Sequence, residues 1–151
     1  MIKKILPLVK LKYPDIKLLI SGTNPAKKVL MLKSENVIVS GWVNDMRDSY
    51  AMAKIFIAPM QIGTGLQNKL LEAMCMMLPC ITSNLANCAL GAENGKEILT
   101  ANSPDEYASH ILLLLNDNEK AKSLAKSGNS FVKLNYNWEK INDKLNKVIC
   151  E

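Results

Sequence analysis

The chain has 151 residues, of which 48% are hydrophobic and 22% charged, a composition typical of one globular domain with its own core. Its net charge of +5 comes almost entirely from lysine, because Arg47 is the one arginine, and aromatic residues make up only 5%. Nucleic-acid sites rely on arginine and on stacked aromatic side chains. The composition therefore argues against a nucleic-acid partner and leaves open only a weak peripheral attraction to an anionic membrane surface.

The sequence indicates neither a membrane span nor a metal site. No apolar run approaches the roughly 20 residues that cross a bilayer, and Pro7 and Lys10 interrupt any signal-peptide core near the N-terminus. The four cysteines form no Cys-x-x-Cys pair, and the chain has no Asp-x-Asp motif to grip a metal diphosphate. We therefore expect a cytoplasmic protein that binds no metal.

Hydrophobic periodicity and turn residues predict alternating helices and short apolar strands. In chain order we predict a helix over residues 3–13, a strand over 16–21, a helix over 25–32, a strand over 37–40, a helix over 45–53, a strand over 55–58, a helix over 66–77, strands over 80–82 and 98–100, and helices that begin at Ser103, near Asn118 and at Trp138. Asn24-Pro25 and Ser103-Pro104 have the residue types of an N-cap and a first helical position.

Short apolar strands separated by helices predict an α/β fold with parallel strands covered on both faces. In such sheets, ligands bind beyond the carboxyl ends of the strands. The segments that follow the first four strands are residues 22–25, 41–44, 59–66 and 82–90. We therefore expect the functional residues to lie in these segments.

The most informative segment leaves a strand at Pro59, passes Gly63 and Gly65, and enters a helix. Glycines let the backbone approach a ligand closely, and the free N–H groups at a helix start favour an anion such as a pyrophosphate. Glu72 lies inside that helix between apolar neighbours, where a carboxylate needs a hydrogen-bonding partner. Ribose hydroxyls would satisfy it, but a partly exposed helix glutamate or a cap for a nearby loop fits the pattern equally well.

The segments Gly65-Leu66-Gln67-Asn68-Lys69-Leu70-Leu71-Glu72-Ala73-Met74 and Leu78-Pro79-Cys80-Ile81-Thr82-Ser83 resemble the signature of the group 1 glycosyltransferases. These are retaining enzymes that use nucleotide sugars and have the GT-B fold. Residues 18–22, 37–43, 53–59 and 136–139 resemble further segments of the family, so the likeness covers nearly the whole chain. It implies that residues 1–151 form the Rossmann-like, C-terminal domain that binds the nucleotide sugar, without the N-terminal domain that binds the acceptor.

The resemblance also implies roles for individual residues. Glu72 matches the second glutamate of the family's E-x7-E pattern and should hold the donor ribose, whereas Thr64 stands where the first glutamate is expected, so the catalytic residue is unknown. Gly65 and Leu66 should offer N–H groups to the diphosphate, and Lys69 either adds positive charge or is a solvated surface lysine. The full set of predicted donor-binding residues is Gly22, Thr23, Val43, Gly63, Thr64, Gly65, Leu66, Lys69 and Glu72. In this set, Val43 should line the pocket for the nucleotide base, and Gly22 and Thr23 should border the same cleft.

The resemblance also implies what the complete enzyme would need beyond this sequence. The family's basic pair, in a Gly-Arg…Lys-Gly stretch, should lie before Met1, and Arg47 is interpreted as a surface helix residue rather than its substitute. His110 is interpreted as structural. The nucleotide sugar is a substrate and no cofactor is expected. We expect the chain alone to be inactive, and the complete enzyme to serve polysaccharide biosynthesis in the cytoplasm, at the inner face of the membrane.

Two alternatives stay open at this point. One is a non-catalytic Rossmann-like interaction module, although the strand ends carry glycine, proline and serine rather than an acidic pocket. The other is half of a GT-B sugar-nucleotide epimerase. A dinucleotide-dependent dehydrogenase is disfavoured because no G-x-G-x-x-G follows the first strand.

Overall fold

The computed structural model of the chain describes residues 1–62, 65–137 and 142. These residues form seven helices: α1 Leu6–Lys10, α2 Lys27–Leu30, α3 Met46–Ala51, α4 Asn68–Cys75, α5 Asn84–Leu90, α6 Pro104–Asn116 and α7 Asn118–Asn135. They also form five strands: β1 Leu18–Ser21, β2 Val37–Gly41, β3 Phe56–Ala58, β4 Cys80–Thr82 and β5 Leu99–Thr100. No helix in this part of the chain is long and apolar enough to cross a membrane.

All five strands are paired in parallel, which confirms the predicted α/β class. They are divided between two sheets: β1 pairs with β2, and the other three strands lie in the order β3-β4-β5. Parallel pairing requires a crossover between successive strands, and the helices that make these crossovers cover the apolar strand faces. The carboxyl ends of the strands within each sheet therefore lie at a common edge.

Helix α1 packs against the cores of both sheets. Val9 of α1 and Ile5, the residue just before this helix, belong to the apolar cluster around Ile81 of β4, whereas Leu6 packs with the β2 residue Val37 and its neighbours. Side chains of one short segment thus contact the cores of two different sheets. Because these side chains are buried, α1 holds the two sheets together through apolar contacts.

Helix α7 anchors helix α4, which carries the predicted donor residues. Gly128 of α7 lies so close to α4 that an added Cβ would stand 3.1 Å from the terminal methyl carbon of Met74. The next residue, Asn129, is buried and donates from Nδ2 to the carbonyl oxygens of Met74 and Cys75 at 3.2 and 2.9 Å. These carbonyls belong to the last turn of α4, where the regular hydrogen bonds of the helix run out, although the Met74 oxygen also accepts from the Met77 N–H at 3.1 Å. A side chain of α7 therefore caps the end of α4.

Among the seven described helices, four begin with a side-chain cap, and the predicted cap at Ser103 is confirmed. Ser103 Oγ accepts from the Glu106 N–H, and Pro104 occupies the first turn. The predicted cap at Asn24 is wrong, because this residue takes a left-handed conformation with φ of 46°, and α2 begins only at Lys27. Asparagine tolerates that region better than most residues, so the turn after β1 uses it for backbone conformation rather than capping.

The prediction overlooked helix α5 and extended most of the other elements too far. The sequence pattern predicts no helix between the strands at 80–82 and 98–100, yet residues 84–90 form a helix that Ser83 caps and that ends at Gly91, whose φ is 72°. The predicted helix over residues 3–13 is helical only at Leu6–Lys10, and the one over 66–77 only at Asn68–Cys75. The predicted helix from Trp138 to the end lies outside the described residues.

Candidate functional site

A side-chain hydrogen bond joins helices α3 and α4 at the predicted site. The Tyr50 hydroxyl donates to Glu72 Oε2 at 2.7 Å, although the two residues are 22 positions apart. Tyr50 is buried, whereas Glu72 is exposed on the surface of α4. The apolar neighbours of Glu72 in the sequence face the core, whereas its carboxylate is exposed and has the hydrogen-bonding partner that the sequence called for. The carboxylate is held by one fixed donor and is otherwise open to a ligand.

The backbone N–H groups at the start of α4 have no side-chain cap and can bind an anion. Gln67 occupies the N-cap but makes no side-chain bond to the helix, and the first turn contains no acidic residue. The Gln67 amide instead donates to the Gly65 carbonyl oxygen at 2.8 Å. In contrast, α3, α6 and α7 each have both a side-chain cap and an acid in the first turn. Because unpaired N–H groups and the helix dipole attract negative charge, the start of α4 is suited to a phosphate.

The carboxyl ends of β1 and β2 lie side by side. The Gly22 N–H donates to the Gly41 carbonyl oxygen at 3.2 Å, and Gly41 has a φ of 72° that favours glycine. Thr23 follows Gly22 and is exposed, while Val43 is half-buried two residues after Gly41. The structure thus joins the ends of β1 and β2 at Gly22 and Gly41, and the segments that carry Thr23 and Val43 leave from these neighbouring strand ends.

The remaining predicted donor residues lie around the start of α4. Leu66 is 40% exposed, and Gly65 and Lys69 are also exposed. The exposure of Lys69 fits both of its interpretations, as a phosphate contact and as a solvated lysine. Gly63 and Thr64 lie outside the described residues.

A cleft of about 480 Å³ opens beyond the carboxyl ends of β3, β4 and β5. Its walls include Gln61 after β3, Ser83 after β4 and Asn102 after β5, together with Lys4 near the N-terminus. This position agrees with the rule that ligands bind beyond the strand ends. This cleft is not lined by any described residue that is predicted to bind the donor. It therefore adjoins the first residues of the segment between β3 and α4 but does not include the candidate site.

Arg47 and His110 have the structural positions that were expected of them. Arg47 donates from Nε to Asp45 Oδ2 at 2.7 Å, and Asp45 also caps α3 by accepting from the Arg47 N–H. Arg47 is well exposed and Asp45 is half-buried, and their pairing raises the pKa of Arg47 and lowers the pKa of Asp45, chiefly through the side-chain hydrogen bond. His110 lies within 3.1 Å of the Thr100 carbonyl oxygen through Nε2 and fixes α6 to the end of β5.

Comparison with known proteins identifies the family. The sequence model of the group 1 glycosyl transferases matches residues 1–117. The chain belongs to the group 1 glycosyltransferases. One relative in this comparison is an uncharacterized 44.6 kDa protein in the cps region of Klebsiella pneumoniae. It is 28% identical over an alignment of 149 residues that covers 93% of this chain and 38% of the relative.

Solved glycosyltransferase structures have the same fold. HepE of Anabaena, whose crystal structure contains UDP and glucose, superposes with a TM-score of 0.80 at 14% identity over 97% of this chain and 44% of HepE. The C-terminal domain of LpcC, a group 1 family protein of Francisella tularensis, superposes with a TM-score of 0.70 at 20% identity, over 89% of this chain and 77% of that one. These matches confirm that the fold is that of a domain of the GT-B glycosyltransferases. The chain spans less than half the length of HepE and of the Klebsiella relative.

Sequence reasoning missed one residue of this site, Tyr50. A signal for it existed, since a tyrosine on the apolar face of a helix needs a partner for its hydroxyl group. That rule does not predict which residue is the partner. Glu72 comes close to Tyr50 only because α4 packs against α3 and β3 in the folded chain. The segment after β5 was also overlooked as part of a cleft wall, because its residues were interpreted only as a helix cap.

Proposed function

We propose that this chain is the nucleotide-sugar-binding domain of a glycosyltransferase, which transfers a sugar to an acceptor bound by a second domain. Membership of the group 1 family supports the reaction class. The presence of UDP and glucose in HepE supports a nucleotide-sugar donor. The likeness to the C-terminal domain of LpcC supports the assignment of this chain to the donor half.

The observation that carries the proposal is the pairing of an uncapped helix start with an exposed, oriented glutamate on the same helix. Asn68 and Lys69 begin α4 without a side-chain cap or an acid, so their end of the helix dipole is available to the diphosphate. Glu72 lies in the next turn with its carboxylate open to the ribose hydroxyls. Phosphate and ribose are adjacent parts of one nucleotide, which matches the short separation of these groups along α4.

In the proposed reaction the protein stabilises the departing nucleotide diphosphate with backbone N–H groups and positive side chains. Negative charge develops on the leaving phosphate, so donors that are fixed in advance lower the barrier most. Lys69 supplies such a charge from this chain, and the basic pair predicted before Met1 would supply more. We further propose that the transfer retains the anomeric configuration, requires no divalent metal and needs the acceptor-binding domain, so that this chain alone is inactive.

Calorimetric titration with UDP, GDP and ADP, at up to millimolar concentration and in the presence of EDTA, tests donor binding. We expect one nucleotide to bind. We also expect Glu72→Ala to weaken binding by about 10- to 100-fold, because hydrogen bonds to a charged group contribute about 1.5–3 kcal/mol. Glu119→Ala is the matched control, since Glu119 is an exposed helix glutamate in α7. A folded chain that binds none of the three nucleotides, or a Glu72→Ala variant that binds as well as Glu119→Ala, would contradict the proposal.

A further inference from the structure

Tyr50 is held by three elements at once, which fixes the position of its hydroxyl group. Its ring lies in the buried core on α3 and packs edge-to-face against Phe56 of β3, with ring centroids 5.7 Å apart. The N-terminal end of α3 is capped by Asp45, so the helix itself is well defined. A tyrosine side chain has only two rotatable bonds before the ring, and burial removes its alternatives. The hydroxyl is therefore a rigid donor aimed at α4.

Glu72, in contrast, has little to restrain it apart from this hydrogen bond. It lies on the exposed face of α4, where a glutamate side chain samples several rotamers at an entropic cost when it is fixed. The bond from Tyr50 occupies Oε2. Because a carboxylate has two oxygens and about four acceptor positions, Oε1 stays available for other donors. The hydrogen bond thus selects one orientation and leaves half of the carboxylate free.

We propose that Tyr50 is the positioning residue of the donor site: its hydroxyl holds Glu72 Oε2 so that Oε1 faces the ribose hydroxyl groups of the nucleotide. This inference rests on the proposed function, because it needs Glu72 to contact the ribose. Tyr50 itself does not touch the nucleotide. It removes the cost of ordering Glu72 at the moment of binding, which is the usual benefit of a preorganised site.

The phenol remains a hydrogen-bond donor near neutral pH. Burial raises the pKa of Tyr50 above its ordinary value, and the hydrogen bond to Glu72 raises it further. The hydroxyl therefore keeps its proton, and the direction of the hydrogen bond, from Tyr50 to Glu72, does not change near neutral pH.

Substitution of Tyr50 by phenylalanine, combined with a change in the ribose, tests the inference. The 151-residue chain and its Tyr50→Phe variant are titrated with UDP and with 2′,3′-dideoxy-UDP, or with the nucleotide that binds in place of UDP and its dideoxy form. We expect Tyr50→Phe to weaken binding of the ribonucleotide by about 3- to 10-fold, which is less than the weakening expected for Glu72→Ala. We expect the same substitution to leave binding of the dideoxy nucleotide unchanged. In the Glu72→Ala background, Tyr50→Phe should have no further effect.

Tyr136→Phe is the matched control. The Tyr136 hydroxyl also donates a hydrogen bond of 2.7 Å, but to the Leu90 carbonyl oxygen, and its ring also packs edge-to-face, against Phe131 at 5.9 Å. Thermal melts of all variants separate a loss of folding from a loss of binding. Equal weakening of both nucleotides by Tyr50→Phe, or no weakening at all, would overturn the positioning role while nucleotide binding by the unsubstituted chain still stood. Failure of the folded, unsubstituted chain to bind any nucleotide would overturn the donor-site proposal and this one with it.

Discussion

Gly128 of α7 is the position where one added methyl group should most clearly disturb the support of the donor helix. An ideal Cβ at Gly128 would lie 2.8 Å from the backbone carbonyl oxygen of Glu97 and 3.1 Å from the terminal methyl carbon of Met74. The Met74 contact involves the far end of a flexible side chain, which can rotate away at little cost. The Glu97 contact involves backbone, in a turn fixed by the hydrogen bond from the Glu97 N–H to the Glu93 carbonyl oxygen. Helix α7 must therefore shift.

Two opposing effects set the size of the change in Gly128→Ala. Overpacking of this kind costs about 1–3 kcal/mol, whereas replacing a helix-interior glycine by alanine gains about 1 kcal/mol. We expect the steric cost to win, with a net loss of up to about 2 kcal/mol in the free energy of unfolding. For a domain of this size, a loss of about 2 kcal/mol lowers the melting temperature by about 4–8 °C.

Circular dichroism melts and urea denaturation measure this loss. Ser130→Ala, at an exposed position of the same helix, provides the control and should not lower the melting temperature. If Gly128→Ala instead raised the melting temperature, helix propensity would outweigh the contact with Glu97. The close approach of α7 to the turn before β5 would then be refuted.

Two further predictions concern the end of α4 and the start of α6. Met77 is half-exposed after α4 and has a φ of 58°, a conformation that costs a non-glycine residue about 1–2 kcal/mol. Met77→Gly should therefore raise the melting temperature by about 1–3 °C, although glycine has more conformational freedom in the unfolded chain. A melting temperature below that of the unsubstituted chain would show that this strain is absent. Glu106 accepts a hydrogen bond from the Asn102 N–H at 2.7 Å, which lowers the pKa of its carboxyl group. Its contribution to stability is therefore present above the ordinary glutamate pKa and is lost as the pH falls through the lowered value. Melts from pH 7 to pH 3 should show a smaller loss of stability on acidification for Glu106→Gln than for the unsubstituted chain, and parallel curves would contradict this interpretation.

The sequence predicted the features that depend on residues close together in the chain. The helix start at Ser103 follows from a serine, a proline and two acids within four positions, and its capping hydrogen bond joins residues only three apart. Apolar runs likewise located all five strands. Local rules failed where one residue type serves two purposes, as at Asn24, where a cap and a left-handed turn are both suitable for asparagine. They also failed at α5, whose cap at Ser83 was interpreted as part of a ligand-binding loop.

The candidate site divides in the same way between sequence and tertiary structure. The sequence by itself determined the α/β class, the family and the position of Glu72 on a helix that follows a glycine-containing loop, because each depends on a continuous stretch of residues. Only the tertiary structure decided that Glu72 is exposed and held by Tyr50, and that Asn129 caps the end of the same helix from 54 positions away. Such contacts depend on how helices pack across the core, and that packing is set by the shapes of many distant side chains together.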